Sequence, residues 1–192
     1  MTRETPATER RRRREGLIFL ALFCLTIPAA NWMVGNVGTT CPRNGPCLIP
    51  VAPGLMAPSG VLMIGVALVL RDLVQRRLGV GVASAAVIAG SLISAALAPP
   101  ALVIASAAAF LISEFADLAI YTPLARRRLV TAVVASGLVG VVLDSVVFLS
   151  LAFGSLDFLT GQIVGKALMV VASIPFIALL RRRDQRLGLA PA

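Results

Sequence analysis

Residues 101–121 read ALVIASAAAFLISEFADLAIY, and this stretch decides the fold of the chain. It is long enough to cross a bilayer, because a transmembrane helix needs about 20 mainly apolar residues. It also contains two acids, Glu114 and Asp117, which lie three positions apart and therefore on one face of the helix. A charge at the centre of a bilayer is costly, so both acids need a reason to be there. The stretch predicts a membrane helix with a polar inner face.

The rest of the chain repeats this apolar pattern. Of its 192 residues, 58% are apolar and 14% are charged, whereas soluble domains have about 45–50% and about 25%. The stretches that qualify as spans are 16–34, 54–70, 80–98, 101–121, 130–151 and 160–180, and Pro99-Pro100 separates the third from the fourth. We therefore predict an all-α integral membrane bundle of six transmembrane helices, with a basic arm over 1–15, a transmembrane domain over 16–183 and a tail over 184–192.

The basic residues predict the orientation of the bundle. If the six spans alternate, all but two of the 18 Lys and Arg residues fall on one side, the exceptions being Arg43 and Lys166. Because positive residues stay in the cytoplasm, both termini are predicted to be cytoplasmic and the protein to lie in the inner membrane. The start of the chain also resembles a secretory signal, with arginines at 10–14 before an apolar run that ends at Pro28 and two alanines. Cleavage there would leave five spans and break the agreement with the charges.

The composition also excludes several classes of function. The formal charge is +9, but the arginines stand in short clusters between apolar runs with few aromatic residues, unlike a nucleic-acid site. The chain has no histidine, no serine with a base and an orienting partner at recognisable spacing, and no phosphate-binding glycine-rich loop with a lysine. We therefore expect neither an enzyme nor a metal or other cofactor nor a nucleic-acid partner. A site that binds and transports a small molecule is what remains.

Four charged residues lie inside the predicted spans: Glu114, Asp117, Asp144 and Lys166. Asp144 and Lys166 both lie roughly 10 Å below the outer surface by the helical rise, so we expect them to pair across adjacent antiparallel helices. This pair either binds substrate or only joins two helices. Glu114 and Asp117 lie deeper, and no fixed cation is expected beside them. Arg71 and Asp72 are placed at the end of a span, where long side chains reach the interface.

The first outer loop and the glycines leave two alternatives open. Cys41 and Cys47 lie in the loop over 35–53, where they either form a disulfide or remain two thiols. Gly161 and Gly165 are spaced for close helix packing, which serves the folding of one chain and the formation of a homodimer alike.

Several short motifs, taken in order, resemble the VUT family of six-span membrane proteins, whose characterised members take up queuosine precursors. The motifs are Asn31-Trp32, Arg71-Asp72-Leu73, Ser113-Glu114-Phe115-Ala116-Asp117 with Tyr121, Asp144-Ser145 and Gly165-Lys166. The resemblance covers the chain from the first span onward, apart from the outer loop. One departure is that relatives often carry an asparagine before the acid of the fifth span, where this chain has Gly137 and Val141.

The resemblance implies a helical bundle similar to the S components, the substrate-binding subunits of energy-coupling-factor transporters. It also implies the import of 7-cyano-7-deazaguanine or a related 7-deazapurine. Such a base has N–H donors beside a carbonyl acceptor, so Glu114 or Asp117 could accept the donors and Lys166 or Asn31 could bind the carbonyl. The expected substrate-binding residues are Glu114, Asp117, Asp144, Lys166 and Asn31.

Two other functions stay open on the sequence. In the first, the chain is the substrate-binding subunit of an energy-coupled vitamin or purine transporter and needs a separate ATPase. In the second, it is a non-transporting structural membrane protein whose arginine arm binds anionic lipid. Copurification of an ATPase would favour the first function, and loss of function on removal of residues 1–15 would favour the second.

Overall fold

The structure, a computed structural model, describes residues 6–43, 46–97, 103–125 and 127–189. Arg3, Arg126, the expected break at Pro99-Pro100 and the end of the predicted tail lie outside these ranges. The predicted division into an arm, a transmembrane domain and a tail stays a prediction.

The described residues form six helices and one β-hairpin. The helices are α1 (Pro6–Asn36), α2 (Val61–Leu78), α3 (Val80–Leu97), α4 (Val103–Ala125), α5 (Leu129–Phe153) and α6 (Leu159–Leu187). The strands β1 (Leu48–Ala52) and β2 (Leu55–Pro58) lie between α1 and α2. The prediction of a helical fold is therefore confirmed, with the hairpin as an element that the sequence analysis did not expect.

Five of the six helices, α1 and α3 to α6, are long and apolar enough to cross a membrane. Large apolar side chains cover their outward faces, and Leu92, Ile104 and Leu179 are 66–79% exposed. Because an apolar surface of this extent needs a cover of lipid or protein, the chain is a multi-pass membrane protein.

The remaining helix, α2, is less apolar because it carries Arg71, Asp72, Arg76 and Arg77. It lies at the centre of the bundle and packs against each of the other five helices. Most of its residues are buried, including all four charged ones. Its charges therefore contact protein instead of lipid, as charged residues inside membrane proteins generally do.

α2 begins at Val61, whereas its span was expected to begin at residue 54. The intervening residues form β2, which pairs antiparallel with β1 through a turn in which Gly54 has a φ of 73°. Pro58 explains the difference, because the residue before a proline is disfavoured in the helical conformation. Because α2 also continues to Leu78, beyond the expected end of the span at residue 70, Arg71 lies inside the helix instead of at its end.

The hairpin is attached to the end of α1. Cys41 and Cys47 form a disulfide, which decides one of the alternatives that the sequence left open. The backbone N–H of Cys47 donates to the carbonyl of Val34 at 2.8 Å, and the hydroxyl of Ser59 donates to the carbonyl of Met33 at 2.7 Å. These bonds hold the hairpin against the same end of the bundle as the start of α2.

The glycine pair of α6 makes close contacts within the chain. A Cβ atom on Gly165 would lie 2.6 Å from Val61 of α2 and 3.0 Å from Val51 of β1. Gly161 is similarly close to the backbone of Met56 in β2. Folding of one chain therefore accounts for the spacing of the pair, and the homodimer stays a prediction.

Candidate functional site

Arg71 lies at the centre of a buried ionic cluster. Its guanidinium is 3.1 Å from the carboxylate of Asp72 and 3.2 Å from that of Glu114, and it also contacts the carboxylate of Asp117. All four side chains, which we name the Arg71 cluster, are at most 1% exposed. Because three carboxylates share one guanidinium, the cluster has an excess of negative charge.

The cluster and its surroundings leave several buried oxygen atoms without a hydrogen bond to any described residue. These atoms are Asp72 Oδ1, Gln75 Oε1, Glu114 Oε2, Asp117 Oδ1 and Oδ2, and Tyr121 Oη. Three of them, Asp72 Oδ1, Glu114 Oε2 and Asp117 Oδ2, contact Nε or Nη2 of Arg71 in ion pairs that lack hydrogen-bond geometry. All but the tyrosine hydroxyl can only accept hydrogen bonds when the carboxyls are ionised. Since buried polar atoms normally have a partner, the region suits a ligand that supplies donors. Among the described residues, no group of three or more His, Cys, Asp or Glu side chains could hold a metal ion.

The sequence analysis was wrong about the environment of Glu114 and Asp117. It expected no cation beside them and placed Arg71 and Asp72 at the end of a span. Because α2 continues to Leu78, Arg71 lies inside the helix and contacts both acids, and its Nη1 donates to the backbone carbonyl of Glu114 at 3.4 Å. Ser136 on α5 donates to Asp72 Oδ2 at 3.2 Å. Helices α2, α4 and α5 therefore meet at this cluster.

Lys166 and Asp144 form the ion pair that the helical depths predicted. Lys166 Nζ donates to Asp144 Oδ2 at 2.5 Å, to Ser145 Oγ at 2.8 Å and to Gln162 Oε1 at 2.8 Å. An ammonium group has three donors, so the protein itself satisfies all of them. Lys166 is fully buried, whereas the side chain of Asp144 keeps 8% of its exposure. We name these four residues the Lys166 cluster; the sequence analysis missed Gln162, although its spacing of four residues from Lys166 puts both on one helix face.

The Arg71 and Lys166 clusters are neighbours. The carboxylates of Glu114 and Asp144 are close enough to interact electrostatically. The fold thus brings together Glu114, Asp117, Asp144 and Lys166. Asn31 on α1 donates instead to the carbonyl of Ile27 in its own helix at 3.0 Å, and α1 packs chiefly on α2 and α3. That Asn31 binds substrate together with the other four residues stays a prediction.

A third ionic cluster joins α1, α2 and α6 at the other end of α2. Arg77 donates to both carboxylate oxygens of Asp184, at 2.8 and 2.9 Å, and to Glu15 at 3.0 Å. Arg76 also binds Asp184, at 3.1 Å, and Arg183 binds Glu15 at 2.6 Å. We name these five residues the Asp184 cluster. From the sequence, the arginines of this cluster were used only to predict the orientation of the chain, and the cluster itself was missed. The signal for it is that one acid, Glu15 or Asp184, directly follows each run of arginines near the two ends of the chain.

Asp184 lies beyond residue 180, where the predicted span of α6 ends. Burial alone would raise the pKa of its carboxyl, but hydrogen bonds from Arg77 and the charges of Arg77 and Arg76 hold the pKa below its ordinary value. Asp184 is therefore a fixed negative charge at neutral pH. The ion pairs of the Asp184 cluster therefore hold α1, α2 and α6 together.

Charged clusters enclosed at the centre of a bundle of apolar helices are typical of membrane transporters. Residues 94–180, just under half of the chain, match the model of a family described as "Putative vitamin uptake transporter". The match extends from the end of α3 through most of α6 and includes Glu114, Asp117, Asp144 and Lys166. No curated protein and no solved structure matches the chain. The family match supports the resemblance to the VUT family and, with the apolar helices, a membrane transporter of small molecules rather than an enzyme.

Proposed function

We propose that this chain imports a queuosine precursor, 7-cyano-7-deazaguanine or a related 7-deazapurine, across the inner membrane. In this proposal α2 also crosses the membrane, which gives six spans in a bundle similar to that of the S components. Six spans put both termini on one side, and the basic residues in the first turns of α1, in the second half of α2, directly after α4 and in the last turns of α6 assign that side to the cytoplasm. The disulfide between Cys41 and Cys47 then lies on the oxidising outer side.

The length and the position of α2 support its role as a span. Its 18 residues extend over about 27 Å at the helical rise, close to the hydrocarbon thickness of about 30 Å. Its charged side chains are enclosed by the other helices, so they do not meet lipid.

The surplus of buried acceptors in the Arg71 cluster is the observation that carries the proposal. Glu114 Oε2 and Asp117 Oδ2 contact Arg71 only as ion pairs without hydrogen-bond geometry, and Asp117 Oδ1 has no hydrogen bond to any described residue. The pairing edge of a 7-deazaguanine presents N–H groups of the ring and of the exocyclic amine, and a carboxylate can accept two such bonds side by side. A flat ligand without these donors would leave the buried acceptors unpaired, and such a mismatch discriminates strongly between ligands.

The other proposed substrate-binding residues are Asp144, Lys166 and Asn31. Asp144 adjoins Glu114 and is the more exposed of the two, so it is suited to meet the substrate first. Lys166 already donates to three acceptors, so it binds the substrate carbonyl by exchanging Ser145 or Gln162 for it. The amide of Asn31 would supply a further donor after a rotation of its side chain away from Ile27.

The proposal is tested by complementation. The chain is expressed in a bacterium that can neither make queuosine precursors nor import them, 7-cyano-7-deazaguanine is supplied at low concentration, and the tRNA is assayed for queuosine. We expect modification to be restored by the intact chain and not by an empty vector. Unmodified tRNA, with the protein shown to be in the membrane, would contradict this substrate and direct the search to another purine-like or vitamin ligand or to a missing ATPase.

A further inference from the structure

The three ionic clusters lie one after another along α2. We name this series of side chains the polar file. From the hairpin end of the bundle its members are Lys166 and Asp144, Glu114, Arg71 with Asp117 and Asp72, Tyr121, Arg76 and Asp184. Gly65 packs against the backbone of Lys166, and Arg76 binds Asp184. The file therefore follows α2 over at least the segment 65–76, which is about 16 Å long at the helical rise.

Consecutive members of the polar file contact or electrostatically influence each other. Asp144 interacts with Glu114, and Arg71 contacts the three carboxylates of its cluster. Tyr121 is close enough to Asp72 of the Arg71 cluster and to Arg76 and Arg77 of the Asp184 cluster to interact electrostatically with both clusters. The file thus links the Lys166 cluster with the Asp184 cluster.

The Arg71 cluster has more carboxylates than its single guanidinium can neutralise. Its members are at most 1% exposed, and uncompensated charges in so dry a place take up protons and become neutral. Asp72 and Asp117 both contact the same nitrogen, Arg71 Nη2, whereas Glu114 contacts Nε. Two carboxyl groups that share a site commonly share one proton.

Tyr121 is an independent observation that points to the same ligand. Its side chain is fully buried, and its hydroxyl has no hydrogen bond to any described residue, although buried tyrosine hydroxyls usually have a partner. A hydroxyl group can accept and donate a proton in turn. It is therefore suited to accept a proton from the Arg71 cluster and to release its own toward the end of the bundle at the Asp184 cluster, where Glu15 and Arg183 are partly exposed and solvent takes up the proton while Asp184 stays ionised.

We propose that the Arg71 cluster binds a proton, shared by Asp72 and Asp117, and that its movement past Tyr121 drives import. The identity of the transported molecule in this inference rests on the proposed function, whereas the proton site does not depend on it. The charged and titratable groups that face the site are Arg71, Asp72, Arg76 and Arg77 on α2, Glu114, Asp117 and Tyr121 on α4, Asp144 on α5, and Lys166 and Asp184 on α6. The sequence of α3 contains no charged residue.

Transport by the full chain in liposomes tests the coupling. Exchange of radiolabelled 7-cyano-7-deazaguanine across the membrane needs no driving force and tests the proposed function alone. With an acidic outer buffer, we expect accumulation above the outside concentration, lost when a protonophore is added. Exchange without such accumulation would overturn the inference while leaving the proposed function intact.

Tyr121→Phe is the decisive variant, because it removes only a hydroxyl that has no hydrogen bond to lose. We expect exchange at the rate of the unmodified chain and loss of accumulation. The matched control is Thr26→Val, which removes a buried hydroxyl that donates to the carbonyl of Phe23 in its own helix; it should leave both measurements unchanged. Normal accumulation by Tyr121→Phe would overturn the role of Tyr121.

Infrared spectroscopy of the full chain in nanodiscs tests the proton site without any substrate. At neutral pH we expect the C=O stretching band of a protonated carboxylic acid, weakened or shifted in frequency in Asp72→Asn, because the pair that shares the proton is gone, and unchanged in the exposed control Asp157→Asn. Absence of this band from the unmodified chain would overturn the proton site even if exchange is observed. If Asp72→Asn does not fold, Asp117→Asn gives the same comparison, and persistence of the full band in it would also overturn the assignment.

Discussion

Arg77 on α2 and Asp184 on α6 bind each other through two hydrogen bonds of 2.8 and 2.9 Å, although 107 residues separate them in the chain. Both side chains are at most 1% exposed. The geometry is bidentate, which is the strongest arrangement for a guanidinium and a carboxylate. The central helix is thereby held to the last helix at the end of the bundle opposite the hairpin.

Replacing Asp184 should therefore destabilise the protein. We expect Asp184→Asn to lower the free energy of unfolding by about 3 kcal/mol, because it leaves Arg76 buried without its counter-charge and Arg77 with Glu15 alone. Thermal unfolding of the full chain in detergent measures the effect, with the exposed Asp157→Asn as control. Equal melting temperatures for the two variants would show that the cluster does not hold the helices together.

A double-variant comparison decides whether Asp144 and Lys166 bind substrate or only join α5 to α6. Asp144→Asn and Lys166→Gln should each destabilise the protein by about 3 kcal/mol, since each leaves one buried charge unpaired. The double variant removes both charges and should recover most of that stability. If the pair binds substrate, as we propose, uptake stays lost in the double variant. Recovery of uptake together with stability would assign the pair to packing alone.

Glu114→Gln keeps the size of the side chain and removes its charge. A hydrogen bond to a charged group contributes about 1.5–3 kcal/mol, so uptake of 7-cyano-7-deazaguanine at limiting concentration should fall at least about tenfold. Asp117→Asn should have a similar effect. Uptake is measured at equal amounts of protein in the membrane, with Asp157→Asn as control. Unchanged uptake in both variants would refute the proposed site.

Two glycines provide a matched test of the packing around α2. A Cβ on Gly65 would lie 2.7 Å from the carbonyl oxygen of Lys166, whereas one on Gly81 would meet no atom within 4 Å. Gly65→Ala should cost about 1–3 kcal/mol, since backbone atoms must move to make room. Gly81→Ala should be neutral or slightly stabilising, because alanine favours a helix. Equal melting temperatures would contradict the close contact of α2 with α6.

The disulfide provides a test of the proposed orientation. In intact cells, a thiol reagent that cannot cross the membrane should label Cys41 and Cys47 only after reduction. Cys24 lies within α1 and should stay unlabelled in both conditions. Mass spectrometry of the labelled peptides identifies the cysteines that react. Labelling without prior reduction would argue against the bridge, and labelling only after the cells are opened would place the hairpin in the cytoplasm.

The predictions that succeeded depended on properties of short segments. The length and apolar composition of a segment suffice to predict a membrane helix, and α3 begins at Val80, as expected. The pairing of Asp144 with Lys166 was also predictable, because both positions lie at the same depth on consecutive helices. In each case the helical rise and the membrane thickness restrict the arrangement to one solution.

The sequence by itself thus determined that this is a helical membrane protein with charges inside its bundle, because hydropathy and spacing are local. Only the tertiary structure decided which charges meet. Helix α2 continues past residue 70 to Leu78, and its packing against α4 brings Arg71 to Glu114 and Asp117. The bond between Arg77 and Asp184 likewise depends on the packing of α2 against α6. Contacts between distant segments follow from the way helices pack, and no pattern within either segment specifies them.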